Sequence, residues 1–147
     1  MDLVVDASVA VKWFVEEEDA NRALLLANGA EEIHCPHLLA SEVGSALWRK
    51  VLQGELEPGD ARTGMESLAR LPINWHADEA LGADCLRLAF AHDRTVYDSM
   101  YLALANRLNA RLVTADLRFA NALAATDASS MVLRLRNYPE GLLEQSG

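Results

Sequence analysis

The chain has 147 residues, 51% hydrophobic and 24% charged, with 8 Gly and 4 Pro. That is the size and make-up of one globular domain around one core, and it excludes a disordered chain, a collagen-like fibre and a low-complexity linker. Its 22 acidic and 13 basic side chains give a net charge of -9, the wrong sign for a general nucleic-acid coat but not for an enzyme that meets nucleic acid at one local site.

Leu3-Val4-Val5 is a short apolar, β-branched run ended at once by Asp6, and it predicts a buried strand entering a turn. A helix is expected through Val9, Ala10, Val11, Trp13 and Phe14. Glu16-Glu17-Glu18-Asp19 reads as a solvated break leading into the next helix, whose dipole the acids complement. That helix carries Ala23, Leu24, Leu26 and Ala27 and stops at Asn28-Gly29. Ile33-His34-Cys35 before Pro36 predicts a second strand. From His37 to Gln53 the apolar spacing is helical, through Leu39, Val43, Ala46 and Leu47, with Gly54 as the stop. Pro58-Gly59-Asp60 opens a helix that runs to Leu71, before Pro72. Ile73-Asn74-Trp75 follows as a third strand. Helices are expected over Asp78 to His92 and Thr95 to Leu108, the second apolar on nearly every face and therefore buried. Arg111 to Thr114 is a strand, Leu117 to Ala125 a short helix and Met131 to Leu133 a last strand.

Short apolar strands alternating with longer helices predict an α/β domain: three layers, α/β/α, around a central, mostly parallel sheet. Residues 1–136 form that domain, and the polar segment 137–147, with Pro139 and Gly141, is expected to be a fraying tail. Cys35 and Cys85 belong to no C-x-x-C pair, which argues against a disulfide framework or a thiolate zinc site. The start, Met1-Asp2-Leu3-Val4-Val5-Asp6, is not a signal peptide, and no stretch is apolar enough to span a bilayer. A cytoplasmic, reducing compartment is the expectation.

Four carboxylates fall in unusual positions. Asp6 ends the first strand and Asp116 follows the strand ending at Thr114, and ligands bind at the carboxyl ends of parallel strands. Asp98 lies in the first turn of the apolar helix, where a charge beside the core needs a partner. Glu42 sits at the margin of the stripe shared by Leu39 and Ala46, with Arg49 two turns along the same side. Each acid also has a structural reading: Asp6 and Asp116 as N-caps, Thr95-x-x-Asp98 as a variant capping box, Glu42 in an ion pair with Arg49. If the four share one crevice they repel, and oxygen-only ligands of this kind select Mg²⁺ or Mn²⁺.

The local strings around these acids are Leu3-Val4-Val5-Asp6-Ala7-Ser8-Val9, Ser41-Glu42-Val43 with Ala46-Leu47-Trp48, Tyr97-Asp98-Ser99-Met100-Tyr101-Leu102-Ala103-Leu104-Ala105, and Thr114-Ala115-Asp116-Leu117-Arg118-Phe119. In that order and spacing, from residue 2 to residue 135, the chain resembles a PIN-domain ribonuclease of the VapC type, the toxin of a bacterial type II toxin–antitoxin pair. The resemblance implies that Asp6, Glu42, Asp98 and Asp116 form the acidic, metal-holding quartet, with Ser8 and Thr114 as the accompanying hydroxyls. Many relatives carry Asn three residues after the helix acid; Ser45 stands there in this chain, so one supporting hydrogen bond is altered. The resemblance also implies a homodimer and a cognate antitoxin that covers the active site, for which the apolar helices over residues 37–70 are a candidate groove.

Hydrolysis of an RNA phosphodiester needs an activated water, in-line attack and relief of phosphate charge, all of which carboxylate-held metal ions supply. Asp6 and Asp98 are the expected principal ligands, completed by Glu42 and Asp116, and cleavage by water leaves a 5′-phosphate and a 3′-hydroxyl. A metal-independent ribonuclease would instead need histidine, and His34, His37, His76 and His92 all read as structural or surface residues. Arg49, Arg94, Arg118, Arg134 and Arg136 are candidate donors for a basic rim. Trp13, Phe14 and Trp48 suit either base stacking or packing. A haloacid-dehalogenase phosphatase would want a second acid where Ser8 stands, and a response-regulator module an acid pair after the first strand. No P-loop or G-x-G-x-x-G string is present. The remaining rival is a catalytically silent PIN-like domain that only binds a protein partner.

Overall fold

The computed structural model describes residues 1–144. In chain order its strands and α-helices are β1 (Asp2–Val5), α1 (Ala7–Ala10), α2 (Ala20–Ala27), β2 (Glu32–Pro36), α3 (Leu38–Leu52), α4 (Pro58–Leu68), β3 (Ile73–His76), α5 (Gly82–His92), α6 (Val96–Leu108), β4 (Arg111–Thr114), α7 (Leu117–Ala124), β5 (Val132–Arg134) and α8 (Glu140–Leu143). The five strands form one sheet in the order β3-β2-β1-β4-β5, and every neighbouring pair is parallel. The expected mostly parallel sheet is thus wholly parallel.

Successive strand side chains point to opposite faces, so a strand buried at every position must be covered on both. Leu3, Val4 and Val5 of β1 are all 0% exposed, as are Leu112 and Val113 of β4, which requires helices above and below the sheet. Each such side chain contributes about 1.5–3 kcal/mol relative to exposure. Helix α6 packs on β1, β2, β4 and α5. Its seven consecutive buried residues, Ser99 to Ala105, explain an apolar pattern with no polar face. Chain direction across the sheet reverses at β1: β2 and β3 lie on one side, β4 and β5 on the other. Beyond the carboxyl ends of β1 and β4 the connections part, and that crevice is where parallel α/β sheets bind ligands.

Several elements depart from the sequence expectation. The helix expected through Phe14 is α1 followed by a 3₁₀ turn, Val11–Trp13. The helix expected from Asp78 begins as a 3₁₀ turn, Asp78–Leu81, and becomes α-helical at Gly82. The acidic run is not simply solvated, because Glu17 takes both Lys12 at 3.1 Å and Lys50 at 2.9 Å. Asp19 at the start of α2 is left-handed, with φ 63°, and makes no side-chain cap. Gly54 does stop α3, at φ 75°, a conformation that costs glycine little.

The segment from Asn137 does not fray over its described part. Tyr138 is 2% exposed and Leu142 is 7% exposed. Tyr138 donates to Glu31 Oε2 at 3.2 Å, while its carbonyl accepts from Arg22 Nη1. Two apolar anchors in a polar sequence are enough to hold it down; residues 145–147 of the expected tail lie outside the described residues.

Candidate active site

Asp6 leaves β1 and caps α1, accepting from Val9 N at 3.3 Å. Its two carboxylate oxygens are divided between two hydroxyls: Ser8 donates to Oδ1 at 2.5 Å and Thr114 to Oδ2 at 2.5 Å. Each hydroxyl also accepts a backbone N–H from the turn after β4, Ser8 from Ala115 at 2.9 Å and Thr114 from Asp116 at 3.0 Å. The ends of β1 and β4 are thereby laced into one network around a carboxylate that is 5% exposed. Burial pushes the Asp6 carboxyl up to about 6, and the Asp116 charge adds to it; the bonds from Ser8, Thr114 and Val9 oppose the rise.

Asp116 caps α7, with its Oδ1 accepting from Arg118 N at 3.0 Å and Phe119 N at 3.2 Å. The N-cap reading of Asp6 and Asp116 is therefore right, and it coexists with a place on the crevice. A carboxylate held by backbone N–H groups is aimed as well as capped.

Glu42 projects from α3 and accepts from the Tyr101 hydroxyl of α6. It does not pair with Arg49. Burial raises its carboxyl above the usual range, and the Asp98 and Asp78 charges raise it further, against the Tyr101 bond. Burial, then the Glu42 charge beside it, drives the Tyr101 hydroxyl far upward, with a contribution from Asp6. Tyr101 is 2% exposed and stands as a fixed donor to Glu42. Sequence reasoning placed Tyr101 in a motif string and gave it no role; its spacing of one turn from Asp98, toward the core, was the available signal.

Asp98 opens α6. Thr95 accepts from its backbone N–H at 3.0 Å, so half of the expected capping box forms, but its carboxylate turns to Arg94 Nη2 at 3.1 Å. The Arg94 guanidinium also lies 5.9 Å from the centroid of the Phe119 ring. This ion pair joins α6 to the region of Asp116 through the α7 aromatic.

The four acids thus arrive from four elements, in two pairs that act on each other by charge: Asp6 with Asp116, Glu42 with Asp98. Among the described residues no three His, Cys, Asp or Glu side chains close around a common point. Each acid instead holds a local partner: two hydroxyls, a tyrosine, an arginine, a helix terminus. The donor set nevertheless suits a hard divalent cation. It is all oxygen, it is mutually repelling, and the second oxygen of Glu42, Asp98 and Asp116 carries no hydrogen bond among the described residues.

The other expected residues fall elsewhere. Ser45 is exposed. His34 bonds His76 at 2.9 Å and Asp2 at 3.2 Å, a network on β1, β2 and β3 apart from the four acids, and burial with the neighbouring His34 charge lowers the His76 pKa. His37 is exposed beside Trp75, with ring centroids 6.4 Å apart. Trp13 donates to Ala23 O at 2.8 Å and, like Phe14, packs on the core, whereas Trp48 is 60% exposed. No helix among the described residues is long and apolar enough to cross a membrane.

Residues 3–123 match the family model of the PIN domain. The chain is 34% identical over 127 residues to the protein named ribonuclease VapC3 of Pyrobaculum aerophilum, covering 85% of this chain and 97% of that one. Its fold is similar to the crystal structure of PAE2754 from the same organism, with a TM-score of 0.71 at 21% identity, over 99% of this chain and 91% of that one. It is also similar to a chain of a toxin–antitoxin complex from Klebsiella pneumoniae, with a TM-score of 0.66 at 13% identity, over 90% and 97% of the two chains. A parallel sheet with acids at its switch point, a family model spanning most of the chain and a near full-length relative converge on one assignment: this chain belongs to the PIN domain family, among the VapC ribonucleases.

Proposed function

We propose that the chain is a divalent-metal-dependent endoribonuclease, the toxin of a toxin–antitoxin pair, using Mg²⁺ or Mn²⁺ held by Asp6, Asp98, Glu42 and Asp116. The observation that supports this reading is the pairing of the acids by charge, Asp6 with Asp116 at the ends of β1 and β4 and Glu42 with Asp98 on α3 and α6, with Tyr101 acted on by both Glu42 and Asp6. Such repulsion is relieved by a bound cation. When bound, the ion supplies a hydroxide-like water near neutral pH and offsets charge on the phosphate.

The chain's own side chains prepare that chemistry. Ser8 and Thr114 fix both oxygens of Asp6, so its position is set by the β1–β4 ladder. Tyr101 fixes Glu42 and cannot itself ionise at working pH. Arg94 holds Oδ2 of Asp98 and, among the described residues, leaves Oδ1 free to serve a metal. The α7 terminus fixes Oδ1 of Asp116 and leaves its other oxygen without a hydrogen bond among the described residues.

The partners follow from surfaces. RNA enters along the crevice. Along α3 and α4 an apolar groove of about 260 Å³, lined by Leu47, Trp48, Val51, Pro58 and Met65, suits the amphipathic segment of an antitoxin. We further propose a cytoplasmic homodimer, with residues 1–136 as the PIN-like unit and 137–147 as an appended segment. The test is cleavage of total cellular RNA by protein freed of antitoxin, with Mg²⁺ or Mn²⁺, with and without EDTA, beside Asp98→Asn. Discrete cuts with 5′-phosphate ends, lost with EDTA and in the variant, are expected. Cuts that survive EDTA would return the chemistry to the histidines. No cutting by folded, metal-loaded protein would favour the silent, protein-binding alternative.

A further inference from the structure

One cation next to the crevice is left without work by the description above. Strand β5 pairs with β4 so that Arg134 lies in register with Thr114, the residue whose hydroxyl holds Asp6. Neighbouring strands are about 4.8 Å apart, which sets Arg134 one strand over from Thr114 and two strands over from Asp6. Beside Thr114 opens a cavity of about 110 Å³ lined by Lys12, Thr114, Ala115, Arg134 and Arg136, together with Glu18 and Asp19. A water molecule's share of the liquid is roughly 30 Å³, so the space admits a group of several heavy atoms.

Arg134 differs from the other arginines with buried nitrogens. Arg94, Arg111 and Arg134 each bury an Nε that has no partner. Arg94 compensates through Asp98 at 3.1 Å, and Arg111 through the Val132 carbonyl at 3.4 Å. The Arg134 side chain makes no hydrogen bond or ion pair among the described residues. Glu144 lines a wider cavity against it without coming within ion-pair distance. A buried Nε with no acceptor among the described residues is costly, and an anion with two acceptor oxygens removes that cost through the guanidinium fork.

We propose that Arg134, with Arg136 beside it, clamps a backbone phosphate of the RNA strand next to the carboxylate crevice. The inference rests on the endoribonuclease reading and deepens it. Lys12 has a lesser part, because Glu17 already holds it at 3.1 Å. Glu18 and Asp19 cancel much of the positive charge in the cavity, so the anion is confined to the β5 side; Asp19 is itself drawn toward Arg22, at 3.9 Å. On a chain of net charge -9 there is no long-range attraction for RNA, so one local cation governs docking more than it would on a basic protein.

The test measures binding of a labelled, random-sequence single-stranded RNA in EDTA across a salt series, and steady-state cleavage with Mg²⁺. Arg134→Gln is compared with wild type, Arg134→Lys, Asp98→Asn and a distant control, Arg70→Gln. Arg134→Gln is expected to weaken RNA binding about tenfold and to lower the salt slope by roughly 0.7, the value for one phosphate of a single strand. KM should rise with kcat within about twofold, Arg134→Lys should recover part of the loss, and Mn²⁺ affinity and the circular-dichroism melt should not move. A folded Arg134→Gln with wild-type affinity and slope overturns the clamp, as does a fall in kcat at unchanged affinity. If wild type cuts and Asp98→Asn does not, that failure is the clamp's alone. If wild type neither binds nor cuts RNA, the endoribonuclease reading falls and takes the clamp with it.

Discussion

The two halves of the crevice are built differently. The strand half, Asp6 with Ser8, Thr114 and Asp116, hangs from the ends of β1 and β4 and is tied by hydrogen bonds into backbone on both sides. The helix half, Glu42 and Asp98, hangs from α3 and α6 and is tied by side chains, Tyr101 and Arg94, whose contacts can be exchanged. Asp6 is 5% exposed, whereas the Asp98 and Arg94 side chains are 26% and 25% exposed. In the endoribonuclease we propose, the strand half fixes where chemistry happens. The helix half can adjust to a cation or a substrate without disturbing the sheet. A buried carboxylate held by hydroxyls is a geometric reference, and a partly exposed ion pair is an adjustable contact.

The largest expected effect treats the halves alike and then separates them. Asp6→Asn and Asp98→Asn should both reduce RNA cleavage to background, since each removes a metal-competent charge. Their stabilities should part. In metal-free protein at pH 7.5, Asp6→Asn spares the buried charge and should raise the melting temperature by on the order of 5 °C. Asp98→Asn should change stability by no more than about 1 kcal/mol, because it loses only a partly exposed pair. Equal melting shifts would erase the distinction between the halves.

A second difference is read with pH. The Asp6 carboxyl is raised from 3.8 to about 6, so its contribution to metal-free stability is full below pH 3.8 and is lost as pH rises through about 6. The loss is about 3 kcal/mol in urea melts taken with EDTA between pH 4 and pH 7. Added Mg²⁺ or Mn²⁺ should reverse it, with metal affinity climbing across the same window. A flat stability profile for wild type, matching Asp6→Asn, would sink this account.

Tyr101→Phe tests the helix half. It leaves the Glu42 carboxylate half buried without its donor, which should cost about 1–3 kcal/mol by chemical denaturation and lower cleavage roughly tenfold. Arg94→Gln is the smallest effect. Stability should fall by less than about 1 kcal/mol, while Mn²⁺ affinity should rise severalfold as Asp98 is released. A fall in Mn²⁺ affinity would show that Arg94 orients Asp98 for the metal rather than competing for it.

How far the sequence reaches can be seen in particular residues. The strands at Leu3–Val5 and Arg111–Thr114, the buried helix after Thr95 and the stop at Gly54 were legible because burial leaves periodic patterns and glycine permits a left-handed turn. The four acids were legible because a carboxylate at the end of an apolar run is out of place unless it has work to do. The 3₁₀ turns at Val11–Trp13 and Asp78–Leu81 were not, since a helical apolar pattern does not report which carbonyl a given N–H chooses. Nor was the docking of Tyr138 and Leu142, which depends on a surface made by distant residues such as Glu31 and Arg22.

The sequence by itself determined the class of the fold and the family, and it singled out the four acids proposed as the site. Those are properties of local pattern and of ordered motifs. Only the tertiary structure decided which partner each acid keeps. Ser8 and Thr114 meet on Asp6 across 106 residues of chain, Tyr101 reaches Glu42 across 59, and the β4–β5 register brings Arg134 beside Thr114. Sequence spacing carries no information about such meetings, because they follow from the order in which strands join the sheet.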